Sequence, residues 1–363
     1  MRFVKTLLVA TTLLTLSSAP AKAELNVVAS IKPVHSLVAA VMEGVGTPGL
    51  IVDGAGSPHT YSLKPSQARM LQSADVVFWV GHELEAFLEK PLEALASKAK
   101  TVELMDAHGL ITLKFREGGN FEAHDHSEHE GHHDEHDHHK HEDDHDKHAK
   151  TDEHDHHEDH DDHKDHDDHK RHDDHDDHKD HADEHDHSHD GIDPHVWLDP
   201  VNAKAFVHEI EETLAAADPA HAKQYAANAE KVMTKLDALT EEIAKELAPV
   251  KGKGFIVFHD AYHYFEERFG LQASGAITVS PEIMPGAERI DEIQNRIKKL
   301  GATCVFAEPQ FEPKLVSTVI EGSDARSGVL DPLGASLQDG PDLYFELMRT
   351  MAHAFESCLG GAS

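Results

Sequence analysis

Short apolar runs alternate with longer segments of helical period, once before residue 124 and again after residue 250. The runs of β-branched and apolar residues predict strands at Leu25–Ala29, Leu50–Val52, Val76–Val80, Phe255–Phe258, Cys304–Ala307 and Gly328–Leu330. The periodic segments predict helices at Pro33–Met42, Pro65–Ser73, Leu84–Leu95, Ala261–Phe269 and Ala287–Leu300. Such alternation is typical of mainly parallel sheets flanked by helices. The pattern therefore predicts an α/β protein with two lobes.

A single apolar stripe fills the stretch between the two halves. Its members recur every three or four residues, at Tyr225, Ala229, Val232, Leu236, Leu239, Ile243 and Leu247. Pro219 fits the first turn of such a helix and Pro249 should end it. We expect one long rigid helix over 218–249 that joins the lobes, although a helix packed wholly on one lobe would show the same stripe.

Residues 124–189 have a different composition, with 25 of the chain's 35 histidines and almost no apolar side chain. From one point on, a histidine occupies every third position: His154, His157, His160, His163, His166, His169, His172, His175, His178 and His181. A segment with nothing apolar to bury is expected to be disordered. Imidazole and carboxylate both bind first-row metals, so we expect several weak sites on this insertion.

The insertion completes the predicted domain organisation. The N-terminal lobe comprises 24–123 and 190–217, and the C-terminal lobe comprises 250–363. Residues 1–23 read as a signal peptide, with a basic start, a short apolar run and an Ala-Lys-Ala cleavage site. The run is well short of the ~20 residues that span a bilayer. We therefore expect a mature chain that begins at Glu24, lies outside the cytoplasm and does not insert into the membrane.

The chain carries 68 acidic residues against 33 basic ones, a formal net charge of −35. Nucleic acids and anionic membranes are bound by basic surfaces, so neither is expected as a partner. A cationic ligand fits this charge far better. The same composition makes a metal ion the first candidate.

Outside the insertion, four residues that can bind metals occupy suggestive positions. His59 lies in a loop after the strand Leu50–Val52, and His195 lies between two prolines. His259 and Asp331 each follow a predicted strand directly. Open parallel sheets place their ligand sites at such strand-to-loop junctions. Separately, each of these positions is a weak signal for a metal site.

The motifs around these residues resemble the periplasmic metal-binding receptors of ABC importers, in particular the ZnuA-like, high-affinity zinc-uptake subgroup. The resemblance covers nearly all of 24–359. It rests on the acidic His-rich insertion and on four strings: Pro-His-Thr-Tyr at 58–61, Asp-Pro-His-Val-Trp-Leu-Asp-Pro at 193–200, Phe-His-Asp-Ala-Tyr at 258–262 and Leu-Asp-Pro-Leu-Gly at 330–334. It implies two α/β lobes joined by one long helix, with a metal in the cleft. The implied ligands are His59, His195 and His259, with Asp331 as the candidate fourth.

The fourth ligand stays open, because Pro58 occupies a place where many zinc receptors carry a glutamate. Asp331, water or an insertion histidine could take that position. His263, four residues after His259, would share its helical face. It could donate a hydrogen bond to a metal ligand, bind the metal itself or be a surface residue. Glu308 follows a strand and could orient a ligand or form a salt bridge in the wall.

Cys304 and Cys358 are the two cysteines of the chain. In an oxidising compartment an even number favours one disulfide over two separate buried thiols. The pair is also similar to the disulfide of the zinc subgroup. We expect this bond to be structural, tying a core strand to the last helix.

Three imidazoles and one oxygen suit tetrahedral Zn²⁺, and His259 favours zinc over manganese because manganese prefers harder oxygen ligands. The sequence has no His-Glu-x-x-His helix, phosphate loop or nucleophile elbow, so we expect a binding protein rather than an enzyme. Our hypothesis is a monomeric periplasmic receptor that holds one tight Zn²⁺ and passes it to the membrane permease of a zinc ABC importer. The alternatives are a metal buffer or chaperone acting through the insertion, and a metallohydrolase.

Overall fold

The computed structural model describes residues 25–116, 121, 191–278, 285–300, 304–311 and 314–361. These residues contain two four-stranded sheets in which every pairing is parallel. The first sheet has the order β2-β1-β3-β4, with β1 Val27–Ile31, β2 Gly49–Val52, β3 Val76–Trp79 and β4 Lys100–Glu103. The second has the order β6-β5-β7-β8, with β5 Phe255–His259, β6 Ala276–Thr278, β7 Cys304–Ala307 and β8 Arg326–Val329. The predicted α/β class with two parallel sheets is confirmed.

Ten helices accompany these strands in the described residues. They are α1 Lys32–Val41, α2 Pro65–Gln72, α3 His82–Glu85, α4 Glu89–Leu95, α5 Pro200–Ala217, α6 Ala222–Leu247, α7 His263–Phe269, α8 Ala287–Leu300, α9 Lys314–Ile320 and α10 Leu343–Gly360. Proline stands in the first turn of α1, α2 and α5, where its missing N–H costs no hydrogen bond. The proposed signal peptide and the His-rich insertion lie outside the described residues.

Strand β5 shows how the second sheet divides its side chains between two cores. Phe255 and Val257 join a large hydrophobic cluster that also contains residues of the first sheet and of α6. Ile256 and Phe258 point to the other face, into a smaller cluster formed with α8 and α9. This alternation is the period of two of a strand buried on both faces. The large cluster is therefore continuous from one sheet to the other.

Helix α6 has the predicted apolar stripe, and all seven stripe residues are buried. The helix begins after His221, and Pro249 lies in the short 3₁₀ turn that follows its last residue, Leu247. It packs against three other helices: α1 and α5, which precede it in the chain, and α10, which follows it. At 1.5 Å per residue its length is roughly 39 Å. We retain the domain boundaries, including a linking helix over 218–249, as a prediction.

Two strands and one helix break were not predicted. β4 (Lys100–Glu103) is a polar edge strand in which only Val102 is buried, so it lacks an apolar run. β6 is only three residues long. The helix predicted over Leu84–Leu95 is split by a 3₁₀ turn, and it resumes with Pro91 in its first turn. Proline cannot donate the backbone hydrogen bond that a continuous helix would need there.

The disulfide between Cys304 and Cys358 is present, with the two Cα atoms 6.1 Å apart. It joins the first residue of β7 to the last turn of α10. The predicted tie between a core strand and the last helix is confirmed. Among the described helices, none is long and apolar enough to cross a membrane.

Candidate metal centre

Three histidines from distant parts of the chain bring their Nε2 atoms together. His59 lies in the 3₁₀ turn Pro58–Thr60 beyond β2, and His195 immediately precedes another 3₁₀ turn. His259 is the last residue of β5. The Nε2 atom of His195 lies 3.3 Å from that of His59 and 3.4 Å from that of His259. His195 and His259 are each only 4% exposed.

His259 is held by a carboxylate from the neighbouring strand. β5 and β7 are adjacent and parallel, so His259 and Glu308, which directly follows β7, lie at the same edge of the sheet. The His259 Nδ1 atom is 2.6 Å from Glu308 Oε1. An Nδ1–H that donates to this oxygen leaves the Nε2 lone pair facing the other two histidines. The contact that an orienting role for Glu308 requires is therefore present.

His195 has an equivalent carboxylate from its own loop. Asp193 Oδ1 accepts hydrogen bonds from the His195 backbone N–H at 3.0 Å and from its Nδ1 at 2.7 Å. Behind it, the Trp197 Nε1–H donates to the Pro332 carbonyl at 2.9 Å. The Tyr344 hydroxyl donates to the Trp197 carbonyl at 2.7 Å. The loop that carries His195 is thus hydrogen-bonded to the segment after β8 and to α10.

The imidazoles of His59 and His259 have opposite electrostatic environments. Burial, reinforced by His195 and His259, holds the pKa of His59 well below its ordinary value of 6.5. Burial also opposes the charged form of His259, but the carboxylates of Glu308, Asp260 and Asp193 together outweigh it and raise the pKa of His259. Burial raises the pKa of Asp193 to about 7. His59 is therefore neutral near pH 7, whereas His259 readily holds a proton.

The three nitrogens face a cavity of about 10 Å³, lined otherwise by Glu308, Gln310 and apolar residues such as Trp197 and Phe311. A volume near 10–15 Å³ accommodates roughly one water molecule. Ser57 and Pro58 complete the side next to His59. The space in front of the three nitrogens therefore accommodates a water molecule or a small ion.

Asp331 is not brought into the group of three histidines. Its Oδ1 accepts from Gln310 Nε2 and the Gly334 N–H, each at 3.0 Å, and from the Leu333 N–H at 3.3 Å. Its Oδ2 accepts from the Ala335 N–H at 2.6 Å. This is the turn chemistry of an aspartate whose carboxylate binds backbone N–H groups just ahead of it. Asp331 shapes the loop that follows β8, and its oxygens are engaged there.

His263 also lies apart from the group of three. It is the first residue of α7 and is partly buried, with its ring 6.5 Å from that of Tyr264. Among the described residues its buried Nδ1 has no hydrogen-bond partner. A second group of potential ligands, His82, Glu83 and Glu103, lies beyond β3 and β4. There the His82 side chain is 41% exposed, and its Nε2 atom lies 3.2 Å from a Glu83 carboxylate oxygen.

Comparison with known proteins places the chain in a family. Residues 27–358 match the family described as "ZnuA: Zinc-uptake complex component A periplasmic". The chain belongs to the ZnuA family. It is similar to the high-affinity zinc uptake system protein ZnuA of Brucella abortus (strain 2308), with 57% identity over 334 residues, covering 92% of this chain and 91% of that protein. The ZnuA of Paracoccus denitrificans (strain Pd 1222) is 43% identical, covering 94% of each chain.

A solved ZnuA structure is similar in fold. It superposes with a TM-score of 0.64, covering 92% of this chain and 100% of that one, at 22% sequence identity. At that identity the likeness concerns the fold alone. The resemblance to the zinc-uptake subgroup that the sequence motifs predicted is confirmed by the family match and the relatives.

Sequence reasoning gave no role to two residues that contact the segments carrying the histidines. Asp193 orients His195, and the signal for it was its place two residues ahead in Asp-Pro-His. Arg116 binds Asp260, the residue after His259, through its Nε and both Asp260 oxygens. Nothing in the local sequence marks Arg116, because its partners lie 144 and 150 residues away.

Proposed function

We propose that this ZnuA-family chain captures Zn²⁺ through His59, His195 and His259 and delivers it to the permease of a zinc ABC importer. The observation that carries the proposal is the convergence of three Nε2 atoms, separated by 3.3 and 3.4 Å, on a cavity of one-ion size. Zinc binds imidazole at ~2.0–2.1 Å, and in a tetrahedral complex two such nitrogens lie roughly 3.3–3.4 Å apart. The histidines are thus spaced as zinc ligands would be.

Two carboxylates supply what bare imidazoles lack. Glu308 and Asp193 accept hydrogen bonds at the Nδ1 atoms of His259 and His195, which fixes their rings and raises the basicity of Nε2. They also place negative charge close to a dication that three neutral ligands would leave uncompensated. In the proposed complex the fourth position falls to a water molecule or to a histidine of 124–189, because Pro58 cannot ligate and the Asp331 oxygens are held in their turn.

The family is periplasmic by description, and we propose the same compartment here, reached through cleavage after Ala23. The chain would act as a monomeric binding protein that turns over no substrate, as expected of a family described as a zinc-uptake component. In this proposal the histidines of 124–189 bind further zinc weakly and raise its concentration near the tight site. They are not required for that site.

The test is a zinc titration against a competing chelator, using the mature protein, the protein lacking 124–189 and its His259→Ala variant. We expect one tight zinc with and without the insertion, and an affinity loss of more than about 100-fold in His259→Ala, beyond the effect typical of an outer-shell residue. His353→Ala is the matched control, because that side chain is 76% exposed on α10. If tight binding disappears with the insertion, the protein is instead a metal buffer.

A further inference from the structure

The chain enters and leaves the insertion through two short paired segments. Residues 113–116 and 191–193, called the insertion root here, are joined by an antiparallel bridge between Lys114 and Ile192. The Phe115 N–H donates to the Gly191 carbonyl at 3.0 Å, and the Asp193 N–H donates to the Leu113 carbonyl at 2.9 Å. The second segment ends at Asp193, whose carboxylate holds His195. The root therefore ends two residues before His195, a candidate zinc ligand.

Arg116, the last described residue of the first segment, extends from the root to the segment that follows β5. Its Nε donates to both Asp260 oxygens at 3.0 and 3.1 Å, and its Nη2 also contacts Asp260. Its Nη1 and Nη2 donate to Glu266 at 2.7 and 3.0 Å. The Asp260 and Glu266 side chains are 4% and 2% exposed. One guanidinium thus joins two buried carboxylates in the planar geometry that lysine cannot reproduce.

Because of the position of Asp260, its contact with Arg116 also restrains the segment that carries His259. Asp260 directly follows His259 at the end of β5, so fixing its side chain fixes the backbone that aims the His259 ring. Tyr264 adds a parallel contact, since its hydroxyl donates to the Asp193 carbonyl at 2.8 Å and accepts from the Leu113 N–H at 2.9 Å. The segments that carry His195 and His259 are therefore held to the same root.

We propose that Arg116 is a positioning residue for zinc: by clamping Asp260 to the insertion root, it sets the distance between His259 and His195. This inference rests on the proposed function of the three histidines. Simple electrostatics predicts the opposite effect. Removing a cation and leaving two carboxylates near the pocket would attract a dication more strongly. The sign of the affinity change therefore separates positioning from charge.

The experiment uses the full mature chain with zinc below one equivalent, so that the tightest site fills first. Arg116→Gln and Arg116→Lys are compared with wild type by chelator competition, zinc release rate and the visible absorption of the Co²⁺-loaded protein. We expect affinity to fall about 10–100-fold in Arg116→Gln, as for outer-shell partners of metal ligands. In Arg116→Lys, which keeps the positive charge but loses the planar guanidinium, the affinity should fall by less. Both should release zinc faster and alter the Co²⁺ spectrum.

Arg268→Lys is the matched control. Arg268 binds Asp199 through Nε and Nη2 at 2.7 and 2.6 Å, another arginine–aspartate pair between α7 and the start of α5. Its partner Asp199 lies four residues beyond His195 and is adjacent in sequence to none of the three histidines, so its loss should lower the unfolding temperature with little change in the Co²⁺ spectrum. In an Asp260→Asn background, Arg116→Lys should add little further loss, because the clamp is already broken.

Unchanged or tighter zinc binding in folded Arg116→Lys and Arg116→Gln would overturn the inference. So would a loss of affinity that Arg268→Lys reproduces in full. If Arg116→Gln does not fold, Arg116→Lys and its cycle with Asp260→Asn decide the matter. Absence of tight zinc in the wild type would instead reject the proposed function itself, so the two failures are distinguishable.

Discussion

The two sheets share one strand order but hold their histidines in different ways. In the second sheet, His259 ends β5 and Glu308 follows the neighbouring β7, so the hydrogen-bonded strands fix both residues. In the first sheet, His59 lies on a short turn beyond an edge strand, and His195 lies outside the sheet altogether. A strand end gives a fixed ligand position directly, whereas a loop ligand needs additional hydrogen bonds to hold it.

The electrostatic difference follows from the same contrast. The strand-borne His259 has a carboxylate at its Nδ1, and its pKa is raised, whereas burial lowers the pKa of the loop-borne His59. Near neutral pH, zinc therefore competes with protons for His259 but not for His59. The comparison teaches that equal residue types in one cluster can have unequal roles in uptake and release.

The strongest test of the second sheet's rigidity removes its covalent tie. In a Cys304→Ala/Cys358→Ala double variant we expect the free energy of unfolding of the metal-free protein to fall by about 2–4 kcal/mol, because the bond closes a long loop. Urea unfolding measures this. Zinc affinity should stay nearly unchanged, since neither cysteine lines the cavity. A large affinity loss would mean that the disulfide, not the strand pairing, fixes His259 and Glu308.

The two orienting carboxylates offer a direct comparison between strand and loop. Glu308→Gln and Asp193→Asn each keep the size and one acceptor oxygen, so we expect zinc affinity to fall about tenfold, the lower end of the range for outer-shell residues. Chelator competition gives both numbers. Glu242→Gln, which breaks only an exposed pair with Arg349, is the control and should have no effect. No loss in Glu308→Gln would show that strand pairing alone positions His259.

The smallest effect concerns protons. Because its pKa is raised, His259 must lose a proton to zinc near neutral pH, and His59 need not. Zinc affinity should therefore begin to decline as pH falls while still above ~6.5, the ordinary histidine value. Titrations in buffers of different protonation enthalpy measure the protons released. In Glu308→Gln the decline should move to lower pH; an unmoved profile would contradict the assignment to His259.

The same shifts act on the stability of the metal-free protein with opposite signs. The raised pKa of His259 contributes stability that is complete below ~6.5 and is lost as pH rises through the folded-state value. The lowered pKa of His59 acts in reverse, because the unfolded chain takes up a proton as pH falls through ~6.5. The free energy of unfolding should therefore rise as pH falls toward ~6.5 and decline below it, as far as these two histidines determine it.

Much of the fold could be predicted because the relevant signals are local. Apolar runs marked six of the eight described strands, and the stripe from Tyr225 to Leu247 marked α6. β4 escaped because an edge strand needs only one buried residue, Val102. The convergence of the three histidines came from motif resemblance, since local pattern says only that each lies near a strand end.

What could not be predicted depends on side-chain contacts, some local and some distant in sequence, that no hydrophobic pattern marks. Asp331 follows a strand as a ligand might, yet the backbone N–H groups just ahead of it claim its carboxylate. The bond between Arg116 and Asp260 spans 144 residues and crosses the insertion, so no window along the chain contains it. The orientation of the side chains in a site can depend on such distant pairs, even where sequence motifs give the location of the site.

The small cavity of about 10 Å³ also bears on how zinc enters and leaves the site. A dissolved zinc ion carries a shell of water molecules that this space cannot admit, so uptake has to exchange water for imidazole step by step. Handing the ion over requires the reverse, with water re-entering between the histidines as they separate. In the proposed function, the ease with which water re-enters between the histidines would therefore contribute to the rate of delivery.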